Sequence, residues 1–77
     1  SMATLEHPVP LLLGLAHSLL HAGQGDRALD LLERLHRRQP GHLWVNGQLG
    51  HALGAARPPR HAEAARAFAA AAALCPD

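Results

Sequence analysis

Three histidines in this chain have a spacing that could support chemistry. His17 and His21 lie four residues apart, which places both on one face of a helix, and His51 follows His17 after 34 residues. Imidazole is a ligand for zinc, copper and nickel, and it is the side chain that changes charge near neutral pH. Because no cysteine or carboxylate stands at ligand spacing beside them, we expect polar side chains lining a surface, with no metal and no cofactor. Metal binding and pH sensing are the alternatives that the sequence leaves open.

No set of residues for catalysis is present. Ser18 is the only serine after Ser1, and it has no flanking glycine of the kind found in nucleophile turns. The segment Gly23-Gln24-Gly25 is typical of a turn, and the chain has no lysine with which to build a phosphate-binding loop. The sequence therefore predicts a protein that is not an enzyme.

Composition argues against several other classes of function. The formal net charge is +1, from seven basic and six acidic residues, so a clustered basic surface for nucleic acid is not expected. No segment approaches the ~20 apolar residues of a membrane span. A lone cysteine, Cys75, cannot form an intrachain disulfide and suits a reducing compartment, so we expect a cytoplasmic protein.

Hydrophobic spacing predicts four helices, at about residues 10–22, 26–38, 42–56 and 60–74. Glycines and prolines separate them: Pro8 and Pro10 suit a helix start, and Pro40-Gly41 suits a break. The expected inner residues of the first two helices are Leu12, Leu15, Ala16, Leu19, Ala28, Leu32 and Leu35.

Two details qualify these helices. In the second helix, Asp30 with Arg34 and Glu33 with Arg37 are predicted i,i+4 ion pairs. The third helix contains Gly47, Gly50 and Gly54, each of which costs about 1 kcal/mol relative to alanine in a helix. We expect this helix to be the least stable of the four.

The same spacing of residues occurs twice. Leu49 follows Leu15 after 34 residues, and Ala64 follows Ala28 after 36. The step from Pro40 to Pro76 is also 36 residues. A period of this size indicates one supersecondary unit used twice.

The two units share a motif. The first reads Leu12-x2-Leu15-Ala16-x2-Leu19, Ala28-x3-Leu32, Pro40; the second reads Asn46-x2-Leu49-Gly50-x2-Leu53, Ala64-x3-Phe68, Pro76. This resembles the tetratricopeptide repeat, whose pattern is W-x2-L-G-x2-Y, then A-x3-F, then P. The resemblance implies an all-α fold of two helix-turn-helix hairpins, a fragment of an α-α superhelix, that serves as a non-catalytic protein-protein interaction module.

The resemblance also divides the chain. We expect residues 1–8 to be a lead-in in which Ser1, before Met2, is a cloning remnant, residues 9–42 to be the first repeat, and residues 43–77 to be the second. The second has a two-residue insertion in its inter-helix turn, at 57–60. Residues 42–77 are similar to repeats appended to some bacterial serine/threonine kinases, which implies, as an alternative, a scaffolding segment of a larger enzyme.

In such an array the first helix of each hairpin faces a concave groove, where a peptide or protein partner would bind. The expected groove residues are Leu13, His17, Leu20, His21, Trp44, Gln48 and His51. Tryptophan is enriched at interface hot spots, but packing of Trp44 against Val9 and Leu13 is an equally good interpretation.

A second surface follows from the last helix, whose apolar stripe we expect to be partly uncovered; a docking face for a third repeat is the other interpretation that the sequence leaves open. Its residues are Ala64, Phe68, Ala71 and Leu74. An exposed apolar stripe is a contact site, and in a two-fold homodimer the same patch serves both copies. Self-association is therefore the alternative function.

Overall fold

The fold is all-α, as predicted, and residues 8–75 form four helices packed pairwise as two helical hairpins. A computed structural model of the protein describes residues 8–75. Within them the helices are α1 (Val9–His21), α2 (Gly25–Arg38), α3 (Leu43–Ala55) and α4 (His61–Leu74). Each boundary lies within one residue of the prediction. The lead-in before Pro8 and the second closing proline, Pro76, lie outside the described residues.

Proline and glycine set the first boundaries for simple steric reasons. The carbonyl oxygen of Pro8 accepts hydrogen bonds from the backbone N–H groups of Leu11 and Leu12, at 3.1 and 3.2 Å. Pro10 lies in the first turn, where a missing N–H leaves no hydrogen bond unmade. After α1, Gly23 adopts φ +76°, a left-handed conformation that glycine enters without steric cost. The chain can therefore reverse within three residues and begin α2 at Gly25.

The core is built mainly from leucine, valine and alanine, with α2 packed against both α1 and α3. The largest fully buried apolar side chains are Leu32, Leu35 and Val45. Leu12 and Ala16 are buried as predicted, but Leu15 is 47 % exposed, so its assignment to the inner stripe was wrong. The inner face of α1 is formed by Leu12, Leu13 and Ala16, and Leu15 points to a side that no helix of residues 8–75 covers.

A buried asparagine fixes the start of α3. Asn46 stands where the tetratricopeptide motif has tryptophan, and it is 1 % exposed. Its Nδ2 donates hydrogen bonds to the carbonyl oxygens of Pro40 and His42, both at 2.9 Å. Nδ1 of His42 accepts a further hydrogen bond from the backbone N–H of Val45, at 3.4 Å. A polar side chain is stable in this place because its amide replaces the water that the turn carbonyls would otherwise bind.

One of the two predicted ion pairs forms. Nε of Arg34 lies 3.3 Å from Oδ2 of Asp30. Glu33 does not pair with Arg37 as predicted; its Oε2 instead lies 3.9 Å from Nη2 of Arg60, which comes from the connection between α3 and α4. That connection has five residues (56–60), whereas α1 and α2 are joined by three (22–24).

Candidate functional site

A cleft of about 580 Å³ lies between α1 and α3, the first helices of the two hairpins. In the described part of the chain, its lining residues come from one face of each of these helices: His17, Leu20, His21, Trp44, Gly47, Gln48, His51 and Ala55. The lining positions recur every three or four residues, which is the spacing of one helical face. Since α1 and α3 contact each other directly, the two faces form one continuous surface.

The cleft collects six of the seven residues predicted for the groove. Leu13 is the exception: it is buried in the hydrophobic core with Leu12 and Ala16, and it does not line the cleft. Its equivalent in the second hairpin is Gly47, which has no side chain and leaves the cleft open at that point.

Trp44 is the most exposed aromatic side chain in the described part of the protein. It is 67 % exposed, so its indole is not buried against Val9 and Leu13. An indole left in water at the rim of a cleft is a large apolar surface available to a partner.

Two of the three cleft histidines, His17 and His21, lie against each other, whereas the third, His51, has a different neighbour. The ring centroids of His17 and His21 are 4.4 Å apart, with the planes tilted by 57°. His51 instead packs edge-on to Phe68 of α4, at 5.2 Å between centroids. Among residues 8–75, no group of three or more histidine, cysteine, aspartate or glutamate side chains is placed to hold a metal ion.

Gln48 adds a polar group with an unmet requirement. Its Oε1 is buried at the cleft and accepts no hydrogen bond from any residue in the described part of the chain. Leaving a buried acceptor unpaired costs about 1–3 kcal/mol. A small rotation of this amide, accompanied by a donor from a bound partner, would remove the cost.

The apolar stripe of α4 is only partly available. Phe68 is 41 % exposed and Leu74 is also exposed, while Ala71 is half-buried. Ala64 is buried in the core, so it cannot contact a partner as predicted. The ring of Phe68, by contrast, packs over Gly50 of α3 and leaves part of its surface in water.

Sequence reasoning missed a charged network on the opposite side of α3. Arg60 donates two hydrogen bonds to the carboxylate of Glu63, from Nε at 3.0 Å and from Nη2 at 2.7 Å. The hydrogen bond from Arg60 is the main cause that lowers the pKa of Glu63. The i,i+3 spacing of the two residues was a readable signal, but the approach of Glu33 from α2 was not. Together they join the start of α4 to α2.

This network borders a second cleft, of about 400 Å³, formed by α2, α3 and α4. Its lining includes Glu33, Arg37, Glu63 and Arg66, so charges of both signs are interleaved there. Such a surface is already neutralised internally and offers less apolar area than the cleft at Trp44.

Comparison with known proteins bears on the fold. None of the helices in the described part of the chain is long and apolar enough to cross a membrane. Neither the search of curated proteins nor the search of solved structures found a match. The sequence model of the tetratricopeptide repeat matches residues 9–52, which span α1, α2 and most of α3 and make up more than half of the chain. With the two packed hairpins, this match shows that the chain belongs to the tetratricopeptide repeat family.

Proposed function

We propose that this protein is a non-catalytic interaction module that binds a peptide or an extended protein segment in the cleft between α1 and α3. The observation that carries the proposal is the exposure of Trp44 at the rim of that cleft. Large exposed apolar side chains beside a concavity are typical of binding surfaces, and tryptophan contributes more than most residues to binding energy.

The chemistry of the lining suggests the kind of ligand. Leu20, Trp44 and Ala55 supply apolar area, while His17, His21 and Gln48 supply hydrogen-bonding groups. Among residues 8–75, no arginine, aspartate or glutamate lines the cleft, and the sequence has no lysine. An uncharged or weakly charged peptide with one or two apolar anchors fits this surface better than a polyanion does.

A peptide selection tests the proposal. A displayed library of random 12-residue peptides is panned against the full 77-residue chain, and the selected peptides are titrated by anisotropy. Trp44 is the only tryptophan, so its own emission reports directly on the cleft. We expect a blue shift on binding, and we expect Trp44→Ala and His17→Ala each to weaken binding by tenfold or more.

The matched control is His61→Ala, which removes an exposed histidine at the start of α4, away from the cleft. His51→Ala is less clean, because His51 also contacts Phe68. Selected peptides that bind Trp44→Ala and His17→Ala as tightly as the unmodified chain would contradict the assignment of the cleft.

A second candidate function is self-association through α4. It is favoured by the exposure of Phe68 on a helix that is otherwise mainly alanine. We expect Phe68→Glu to abolish any self-association; because Phe68 contacts His51 of the cleft, Ala65→Glu is the variant that should leave peptide binding in the cleft unchanged. If Phe68→Glu leaves the mass of the protein at high concentration unchanged, this face is not the contact.

A further inference from the structure

The two hairpins repeat the same motif but do not bury the same residues. In α3, Val45 is 0 % exposed and Leu49 is 8 % exposed. The residues 34 positions earlier, Leu11 and Leu15 of α1, are 60 % and 47 % exposed. The pattern continues one turn later, where Ala52 is buried and Ser18 is exposed.

This difference has one structural cause. Helix α2 packs against α3, whereas no described helix packs against the corresponding side of α1. Positions buried in both first helices, such as Ala16 and Gly50, must therefore face the core, and positions buried only in α3 must face α2. We define the start face as the uncovered α1 residues Leu11, Leu15 and Ser18.

The second helices show the reverse difference. Leu29 and Leu32 of α2 are buried, but the residues 36 positions later, Ala65 and Phe68 of α4, are exposed. One turn later, half-buried His36 corresponds to the exposed Ala72. We define the end face as Ala65, Phe68 and Ala72. These residues correspond to Leu29, Leu32 and His36 of α2, which are more buried because α3 covers them.

We infer that the end face of one copy packs on the start face of a second copy, in a head-to-tail arrangement. The occupant is indicated by the chain itself, because α2 on α3 is an internal example of this contact between equivalent helices. The inference rests on the second candidate function, self-association, and specifies which two surfaces meet. A contact between two different patches propagates, whereas a two-fold contact closes at a dimer.

The composition of the two faces is compatible with this contact. Helix α1 has no aspartate, glutamate or arginine, and α4 has no charged residue after Arg66. No like charges would therefore be opposed between the central parts of the two faces. The sizes change in opposite directions: the start face has the larger Leu11 where α3 has Val45, and the end face has the smaller Ala65 where α2 has Leu29.

The test is the mass of the full chain across concentrations from micromolar to millimolar, by sedimentation with reductant present because Cys75 is exposed. We expect the average mass of the unmodified chain to rise beyond that of a dimer. Leu15→Glu and Phe68→Glu should each weaken association by more than tenfold, because a charge would have to be buried in the contact. Ala65→Glu provides a second end-face variant, and circular dichroism checks that all variants are folded.

The matched control is Ala62→Glu. It is the same substitution on the same helix, at the position equivalent to the exposed Asp26 of α2, and it should leave association unchanged. The decisive sample is an equimolar mixture of Leu15→Glu and Phe68→Glu. Each variant keeps one intact face, so the mixture should form a dimer and stop there.

The outcomes separate the two ideas. A monomer at every concentration of the unmodified chain would overturn self-association as a whole. Association that is lost in Phe68→Glu but kept in Leu15→Glu, with no rescue in the mixture, would indicate a two-fold contact through α4. That result would overturn the head-to-tail inference and leave self-association standing.

Discussion

Gly50 and Phe68 fit together so closely that a side chain at Gly50 would collide with the aromatic ring. A Cβ built at Gly50 would lie 2.7 Å from Cε1 of Phe68 and 2.9 Å from Cζ. Gly50 therefore lies where α3 and α4 approach each other closely. Gly47 and Gly54 of the same helix have no atom within 4 Å of the corresponding position.

This contrast predicts opposite responses to alanine in one helix. Gly54→Ala should raise the free energy of unfolding by roughly 0.5–1 kcal/mol, because alanine is the better helix former and has room there. The free energy of unfolding of Gly50→Ala should be about 1 kcal/mol lower than that of Gly54→Ala, because overpacking destabilises a protein by amounts of this order. Urea denaturation of both variants measures the difference.

A double-mutant cycle identifies the cause. In a chain that already carries Phe68→Ala, Gly50→Ala should raise the free energy of unfolding as much as Gly54→Ala does, because the colliding ring is no longer present. If Gly50→Ala and Gly54→Ala are equally stabilising in the unmodified chain, the contact between Gly50 and Phe68 does not constrain position 50.

The leucine at one motif position should contribute strongly to stability in the second hairpin, where it is Leu49, and weakly in the first, where it is Leu15. Leu49→Ala should cost about 2–4 kcal/mol, the usual range for a buried leucine. Leu15→Ala should cost less than about 1 kcal/mol, because that side chain is already largely in water. Thermal unfolding at low concentration compares the two. Equal losses would mean that Leu15 is covered in solution even in the monomer.

Asn46 should be essential to the start of α3. Asn46→Ala removes both hydrogen bonds to the carbonyl oxygens of Pro40 and His42. The expected cost is about 1–3 kcal/mol, the penalty for unpaired polar groups in a partly buried turn. Asn46→Asp should be at least as damaging, because a carboxylate cannot donate to a carbonyl. Unfolding in urea at pH 7 measures both, and an Asn46→Ala variant as stable as the unmodified chain would contradict this role.

The hydrogen-bonded pair of Arg60 and Glu63 predicts that the stability of the protein decreases at acidic pH. Because the hydrogen bond from Arg60 lowers the pKa of Glu63 in the folded protein, its stabilisation is complete above the ordinary carboxyl value of about 4.3. The stabilisation is lost as the pH falls through the lowered folded value. Glu63→Gln should therefore have a lower Tm than the unmodified chain at pH 7 and the same Tm near pH 2.

The size of that difference should be small, since both side chains are partly in water. Glu33→Gln is the comparison, because Glu33 lies 3.9 Å from the same arginine without a hydrogen bond, and its effect should be smaller. A deficit in Glu63→Gln that persists unchanged near pH 2 would mean that the carboxylate charge is not its cause.

The helix boundaries could be predicted because local signals determine them. Pro8, Gly23 and the Pro40-Gly41 step restrict the backbone whatever packs around them. Burial was harder to predict, because it depends on the neighbours of a helix. Leu15 and Leu49 have the same motif position and the same chemistry, yet only Leu49 lies between two helices. Sequence periodicity identifies a face but does not say whether anything covers it.

The groove residues were predicted from the repeat register. One of them, Leu13, does not line the cleft, and the reason is again that burial depends on the neighbours of a helix. Leu13 shares a register position with Gly47, but a leucine there reaches the core. The hydrogen bonds of Asn46 could not be predicted, because they depend on two carbonyl groups that a turn brings together. The ion pair of Glu33 could not be predicted either, because its partner Arg60 lies far away in sequence, in the connection between α3 and α4.

The most direct test of the proposed function is to map a selected peptide onto the chain by amide and side-chain NMR shifts. The account predicts that the largest changes fall on His17, Gln48, His51 and the indole N–H of Trp44, and that they are absent in Trp44→Ala. Changes concentrated instead on Arg37, Glu63 and Arg66 would place the ligand in the second cleft and contradict the account.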